Sequence, residues 1–241
     1  MTNLLWSQFI WLCALALGSF LVSWLFSDLL RLPRTAYIAI FAIGTGVFLY
    51  GYVQWSNLNW ATFISHQWLL GLMVAVVSGL AVIALVPWLV RWQSLALLPP
   101  PGLRGMRLVS MLLLDGVVNG AAEATLISVL PVLIVWQALS PLLWFEQWPG
   151  SILTPIIAFA VSLIIVTLHH LGFPELRCHL ILFVIGGNAV FTLAYLLTVN
   201  PLAAVVAHVM MHMGCELQRI EVPLRQEKRL PAARSRAIVH S

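Results

Sequence analysis

Residues 108–139 read LVSMLLLDGVVNGAAEATLISVLPVLIVWQAL, with Asp115 and Glu123 as the only charges. A helix of this length measures roughly 48 Å at 1.5 Å per residue, against ~30 Å of bilayer hydrocarbon. About twelve residues must therefore overhang or be absorbed by tilt. An ionisable group at the centre of a spanning helix costs roughly 3 kcal/mol or more, so the two carboxylates are functional suspects.

The rest of the chain has the same character. Of 241 residues, 61% are hydrophobic and 8% charged, against about 25% charged in an average soluble domain. Further apolar runs of spanning size fall at 4–26, 35–55, 68–90, 152–171, 180–198 and 201–217. Together they predict an all-α, polytopic membrane bundle of about seven transmembrane helices, with the lipid bilayer as its partner. If the spans alternate, all twelve Lys and Arg fall on one side, at Arg31, Arg34, Arg91, Arg104, Arg107, Arg177 and beyond residue 218. Segments 56–67, 140–150 and 199–200 carry none. The positive-inside rule then predicts a cytoplasmic C-terminal tail and an external N-terminus. Residues 1–7 lack Lys and Arg and no A-x-A-like cleavage site follows, so the first span reads as retained.

Four regions follow. Residues 1–92 hold the first three spans. Residues 93–107 form a cytoplasmic interfacial connector, because Pro99, Pro100, Pro101 and Gly102 cannot continue a helix. Residues 108–217 are a helical core, and 218–241 a basic cytoplasmic tail. No basic face is interleaved with aromatics, which excludes nucleic acid as a partner. Cys13, Cys178 and Cys215 lie too far apart for a disulfide framework or a metal knuckle and read as buried small hydrophobes. Trp55, Trp60, Trp68, Trp88, Trp92, Trp144 and Trp148 lie near span ends, as interfacial belts do.

Inside the spans the ionisable residues are Asp115, Glu123, His169, His170, His208 and His212, accompanied by Asn119 and Asn188. Asp115, Asn119 and Glu123 recur every four residues and share one helical face. Gly116 and Gly120 lie beside them in a small-xxx-small spacing, where a neighbouring helix or a membrane-protein partner can approach closely. If the overhang of 108–139 is cytoplasmic, Glu123 reaches the level of His169 and His170, which end the next span on that side. A single cluster with His208 and His212 then becomes geometrically feasible.

These residues resemble the CPBP intramembrane proteases, which include the CAAX prenyl endopeptidases of the Ras-converting-enzyme type. The family's pattern is Glu-Glu-x-x-x-Arg on one helix, Phe-x-x-x-His at the end of a later one, and His-x-x-x-Asn or Asp on a last one. The resemblance covers about Gly102 to Gly214. It is carried by Glu123-Ala-Thr-Leu-Ile-Ser128, by Val166-Thr-Leu-His-His170, and by the segment from Asn200 to His212 that holds His208-Val-Met-Met-His212. It implies that Glu123 activates water and that His170 and His208 are site histidines. The second glutamate is Ala124 here, the arginine is Ser128, the phenylalanine is Val166, and the final asparagine is His212.

The chemistry available to the surviving set is hydrolysis. Glu123 could act as general base, with His170 fixing the water, and His208 and His212 donating to a developing oxyanion. The resemblance therefore implies an intramembrane glutamate endopeptidase acting on a peptide or lipidated-peptide substrate. The substitutions at Ala124 and Ser128 favour an alternative, a catalytically inactive binding or assembly subunit of a larger membrane complex. No cofactor is required by the first reading. His208 and His212, at i and i+4, could instead ligate a metal or a tetrapyrrole, with Glu123 or His170 as a further ligand, or they could be satisfied interhelical polar groups. Either of His169 and His170 could be the one that faces the site.

Overall fold

A computed structural model describes residues 2–92, 105–142, 150–178 and 180–218. Most of the proline connector, the tail beyond residue 218, Trp144 and Trp148 lie outside the described residues. Every described element is helical. The chain is a multi-pass membrane protein and an all-α bundle: six helices are long and apolar enough to cross a membrane.

Helix α1 (Thr2–Ser23) continues into a π-helical turn, Trp24–Leu29. It is followed by α2 (Arg34–Ser56), the short α3 (Trp60–Ser65) and α4 (Trp68–Trp92). The long α5 (Leu108–Leu139), α6 (Gly150–Leu171) and α7 (Ile181–Thr198) complete the six. The shorter α8 (Leu202–Gln218) closes the chain. Six of the seven expected spans match the observed ones to within a few residues; the seventh, 201–217, forms α8, which is shorter than the other six.

Helix α5 is the central post. In its most apolar window 72% of residues are buried, against 17–33% for the other five spans. Side chains of the outer helices such as Ile43, Val77, Ile164 and Leu197 are exposed, as lipid-facing residues of a bundle are. Two π-helical stretches, Leu112–Val118 and Thr125–Val129, interrupt α5. Pro131 accounts for the second. Its ring crowds the carbonyl four residues back, on Ile127, and it has no N–H to donate there. The Ser162 hydroxyl on α6 donates to that Ile127 carbonyl at 2.7 Å. A defect in the backbone ladder of one helix is thus satisfied by a side chain of the next.

Helix α8 packs between α4 and α5, and small residues bring it close. A Cβ at Gly79 of α4 would stand 3.1 Å from Met210, one at Gly116 2.6 Å from Met213, and one at Gly214 2.7 Å from Ile83. The Gly116/Gly120 face was expected to admit a neighbouring helix or a partner protein, and the helix that approaches it is α8. The face is covered from within, because van der Waals approach through small residues is satisfied by the chain's own helix.

The two ends of the bundle differ chemically. At one end Arg34 pairs with Asp115 of α5 at 2.8 Å and with Glu216 of α8 at 2.6 Å, and Arg177 pairs with Asp28 at 2.9 Å. At the other, the Asn200 side chain accepts from the Leu202 N–H at 2.9 Å and donates to the carbonyls of Ile64 and His66. Asn200 therefore caps α8 and ties it to the C-terminal end of α3. The cysteines depart from expectation. Cys178, in the connection before α7, and Cys13, inside α1, are exposed and Cys215 is half-buried: a loop position is open at the end of the bundle, and a position on a spanning helix can face lipid as readily as protein.

Candidate functional site

Four side chains from three helices converge. Glu123 stands on α5, His170 in the last turn of α6, and His208 and His212 one turn apart on α8. Glu123 Oε1 lies 3.0 Å from His170 Nε2. Glu123 Oε2 lies 3.0 Å from His212 Nε2 and 3.7 Å from His208 Nε2. The carboxylate is buried; the His212 side chain, 18% exposed, is the open edge of the site.

Each element places its residue for a local reason. Asp115 of α5 pairs with Arg34 at the start of α2, and Glu123, two turns further along α5, is level with His170 in the last turn of α6. Helical spacing stacks the rings of His208 and His212, centroids 5.1 Å apart and 22° between planes, on the face turned to α5. Phe191 of α7 closes the far side of His208 with ring centroids 4.9 Å apart. Gly120 admits α8 here: a Cβ on it would meet His212 Cδ2 at 3.3 Å.

The hydrogen-bond network assigns the protons. His170 Nδ1 is 2.8 Å from the Val166 carbonyl, which only accepts, so Nδ1–H donates there. Nε2 of the same ring then faces Glu123 Oε1, lone pair to lone pair, and the contact requires a shared proton on one of the two groups. His208 is different. It is 3% exposed and neither of its ring nitrogens has a hydrogen-bond partner. A buried, unsatisfied imidazole aimed at a carboxylate calls for an explanation.

His169 is the second histidine of the pair, and its role is distinct. Its Nδ1 lies 2.8 Å from Ser23 Oγ and 3.2 Å from the Ser19 carbonyl, both on α1. Nδ1–H donates to them, while the Ser23 hydroxyl donates to the Ser19 carbonyl at 3.0 Å. The ring packs between Phe41 and Phe173, at centroid distances of 5.2 and 5.4 Å. His170 therefore bonds the carboxylate and His169 anchors α6 to α1, with a ring nitrogen still within 4.8 Å of Glu123.

The other candidates do not join the cluster. Asp115 is held by Arg34, and Asn119 is half-buried without reaching Glu123. Asn188 belongs to a separate neutral network: Ser128 Oγ donates to Asn188 Oδ1 at 2.8 Å, Thr192 Oγ1 to Ser128 Oγ at 3.2 Å, and Ser162 meets Thr192 at 2.9 Å. Ala124 and Ser128, which stand where the resembled family has glutamate and arginine, are fully buried.

No protein-family model, curated protein or solved structure matches this chain.

Sequence reasoning did not single out Ser19, Ser23, Ser162, Thr192 or the tether made by Asn200. For Asn200 a signal existed, since an asparagine before an apolar helical run reads as an N-cap. The serines carried none, because hydroxyls inside spanning helices commonly bond their own preceding turn.

Proposed function

We propose that this chain is an intramembrane peptidase that hydrolyses a peptide or lipidated-peptide bond near the membrane face bearing Arg34 and Arg177. The observation that carries the reading is the bridging of Glu123 by His170 on one oxygen and His212 on the other, each at 3.0 Å. A carboxylate so oriented in a buried site takes a proton from water as the water oxygen bonds to the scissile carbonyl carbon. When the C–N bond breaks, Glu123 returns that proton to the departing amine. His208 and His212 stand where an oxyanion can be stabilised by N–H donors. We read that face as cytoplasmic, with the N-terminus outside, because it carries Arg34 and Arg177. The likeness to the CPBP pattern supports the same reading at Glu123, His170 and His208.

The test is Glu123→Gln in the full chain reconstituted in proteoliposomes, with cleavage of a peptide library read by mass spectrometry. The amide keeps the shape of the side chain and loses the proton acceptor, so product formation falls about 10²–10⁴-fold with the fold intact. Cleavage at the wild-type rate rejects the proposal.

A second reading, an inactive binding or assembly subunit, draws on one observation: Ser128 is engaged in a closed neutral network where the resembled family carries a cation. An apolar cavity of about 220 Å³ between Phe63, Trp136 and Tyr195, at the end opposite Arg34, would then be the place for a lipid tail or partner side chain. That reading expects no product from wild type or variant.

A further inference from the structure

We infer that Glu123, His208 and His212 bind a divalent transition-metal ion of the zinc class, with His170 orienting the carboxylate from outside the ligand set. The inference concerns the site of the peptidase reading and rests on that reading only for the use made of the ion, which, with Glu123, His208 and His212 as its ligands, would take over from them the activation of water and the stabilisation of the oxyanion.

Four observations carry it. First, two histidines four apart on one face of α8 present both Nε2 atoms to a carboxylate from another helix, a three-ligand set of the kind that hydrolytic zinc sites use. Second, the spacing suits a small ion. Ligands held about 2.0–2.1 Å from a tetrahedral ion stand about 3.3 Å apart, and the Glu123 oxygen stands 3.0 and 3.7 Å from the two nitrogens. The ligating atoms of the three residues lie within 4.8 Å of one another. Third, His208 is buried with both ring nitrogens lacking a hydrogen-bond partner, and its Nε2 points at that oxygen. An ion between them gives this imidazole the partner it lacks.

Fourth, His170 supplies the supporting contact that metal-binding carboxylates characteristically have. Its Nδ1–H is committed to the Val166 carbonyl and its Nε2 meets Oε1, the oxygen turned away from His208 and His212. The exposed edge of His212 gives water access to the site, where a bound ion would polarise it for attack. Zinc is the ion that connects the site to hydrolysis; iron(II) takes the same two-histidine, one-carboxylate set, and elemental analysis separates them.

The test uses the full chain, purified in detergent without a polyhistidine tag and without chelator, with metal content read by mass spectrometry. The expected result is about one zinc or iron per chain. Stripped protein should take up added Co²⁺ with the visible absorption of a low-symmetry, four-coordinate site. His208→Ala and His212→Ala should lower the metal content at least tenfold, and His170→Ala should weaken zinc affinity by about 10–100-fold. His169→Ala and His66→Ala should retain the metal. Wild-type chain that carries no metal and takes up neither Zn²⁺ nor Co²⁺ overturns the inference, and it needs no variant to fold. Loss of metal in His169→Ala equal to that in His212→Ala also overturns it, by moving the ligand set to α6. The two proposals fail separately: wild-type chain that takes up no metal sinks the site, cleavage by fully stripped protein sinks the use of the ion in hydrolysis and keeps the peptidase, and bound metal with no cleavage keeps the site and sinks the peptidase. His212→Asn adds a further separation, since an amide donor can serve an oxyanion but abolishes this ligand.

Discussion

A Cβ at Gly120 would stand 3.0 Å from the Cα of Val209, so α5 and α8 touch backbone to backbone at the level of the site. A leucine at 120 cannot be absorbed by a rotamer change, because the obstacle is main chain and α8 is held on its other side by α4. Gly120→Leu should destabilise the protein by about 1–3 kcal/mol and move His212 off Glu123. Gly116→Ala should be milder, since the atom it meets is the Met213 Cγ, which can swing. Thermal unfolding in detergent ranks the variants; equal midpoints for Gly120→Leu and wild type would disprove this contact.

Asn200 caps α8 and ties it to the C-terminal end of α3, so its removal acts at both ends of that tie. Asn200→Ala loses one cap bond and two donors and should cost about 2–4 kcal/mol. Asn200→Asp keeps the acceptor for the Leu202 N–H but sets a carboxylate oxygen against the carbonyls of Ile64 and His66. It should be at least as damaging as alanine. An aspartate variant as stable as wild type would show that capping alone matters.

Ser162→Ala should cost about 1–3 kcal/mol, the penalty of leaving a buried carbonyl unmet. Pro131→Ala in the same chain restores an N–H that can reach Ile127 and should recover part of that loss. The double-mutant cycle is the measurement. Strict additivity would mean that the proline and the hydroxyl are unrelated.

Cys178 and His66 lie at opposite ends of the bundle. With Cys13 and Cys215 replaced by serine, Cys178 in sealed right-side-out vesicles should resist a membrane-impermeant maleimide, while a cysteine introduced as His66→Cys should react. The reverse pattern would invert the orientation drawn from the arginines.

Six of the seven spans were legible because bilayer thickness acts on local sequence. Glu123 with His170, His208 and His212 was legible for a related reason: ionisable groups are so rare in the spans that few combinations exist. The choice between His169 and His170 was not, since adjacent positions on a helix end differ only in what the neighbouring helices offer. Here Ser19 and Ser23 of α1 claim one ring and Glu123 the other. The glycine stripe was read as a close-approach face, but nothing in its spacing says that the approaching helix begins about eighty residues later in the same chain. The π-helical stretches also escaped, because a regular periodicity presupposes the ladder that Pro131 breaks.

That proline also constrains the order in which this sequence can change. With Pro131 present, the Ile127 carbonyl depends on a hydroxyl from α6, and losing Ser162 first crosses an unstable intermediate. Losing the proline first makes the hydroxyl dispensable. The two positions therefore form one unit of descent with a preferred direction of mutation, and a graft of α5 into another bundle must carry its Ser162 counterpart with it.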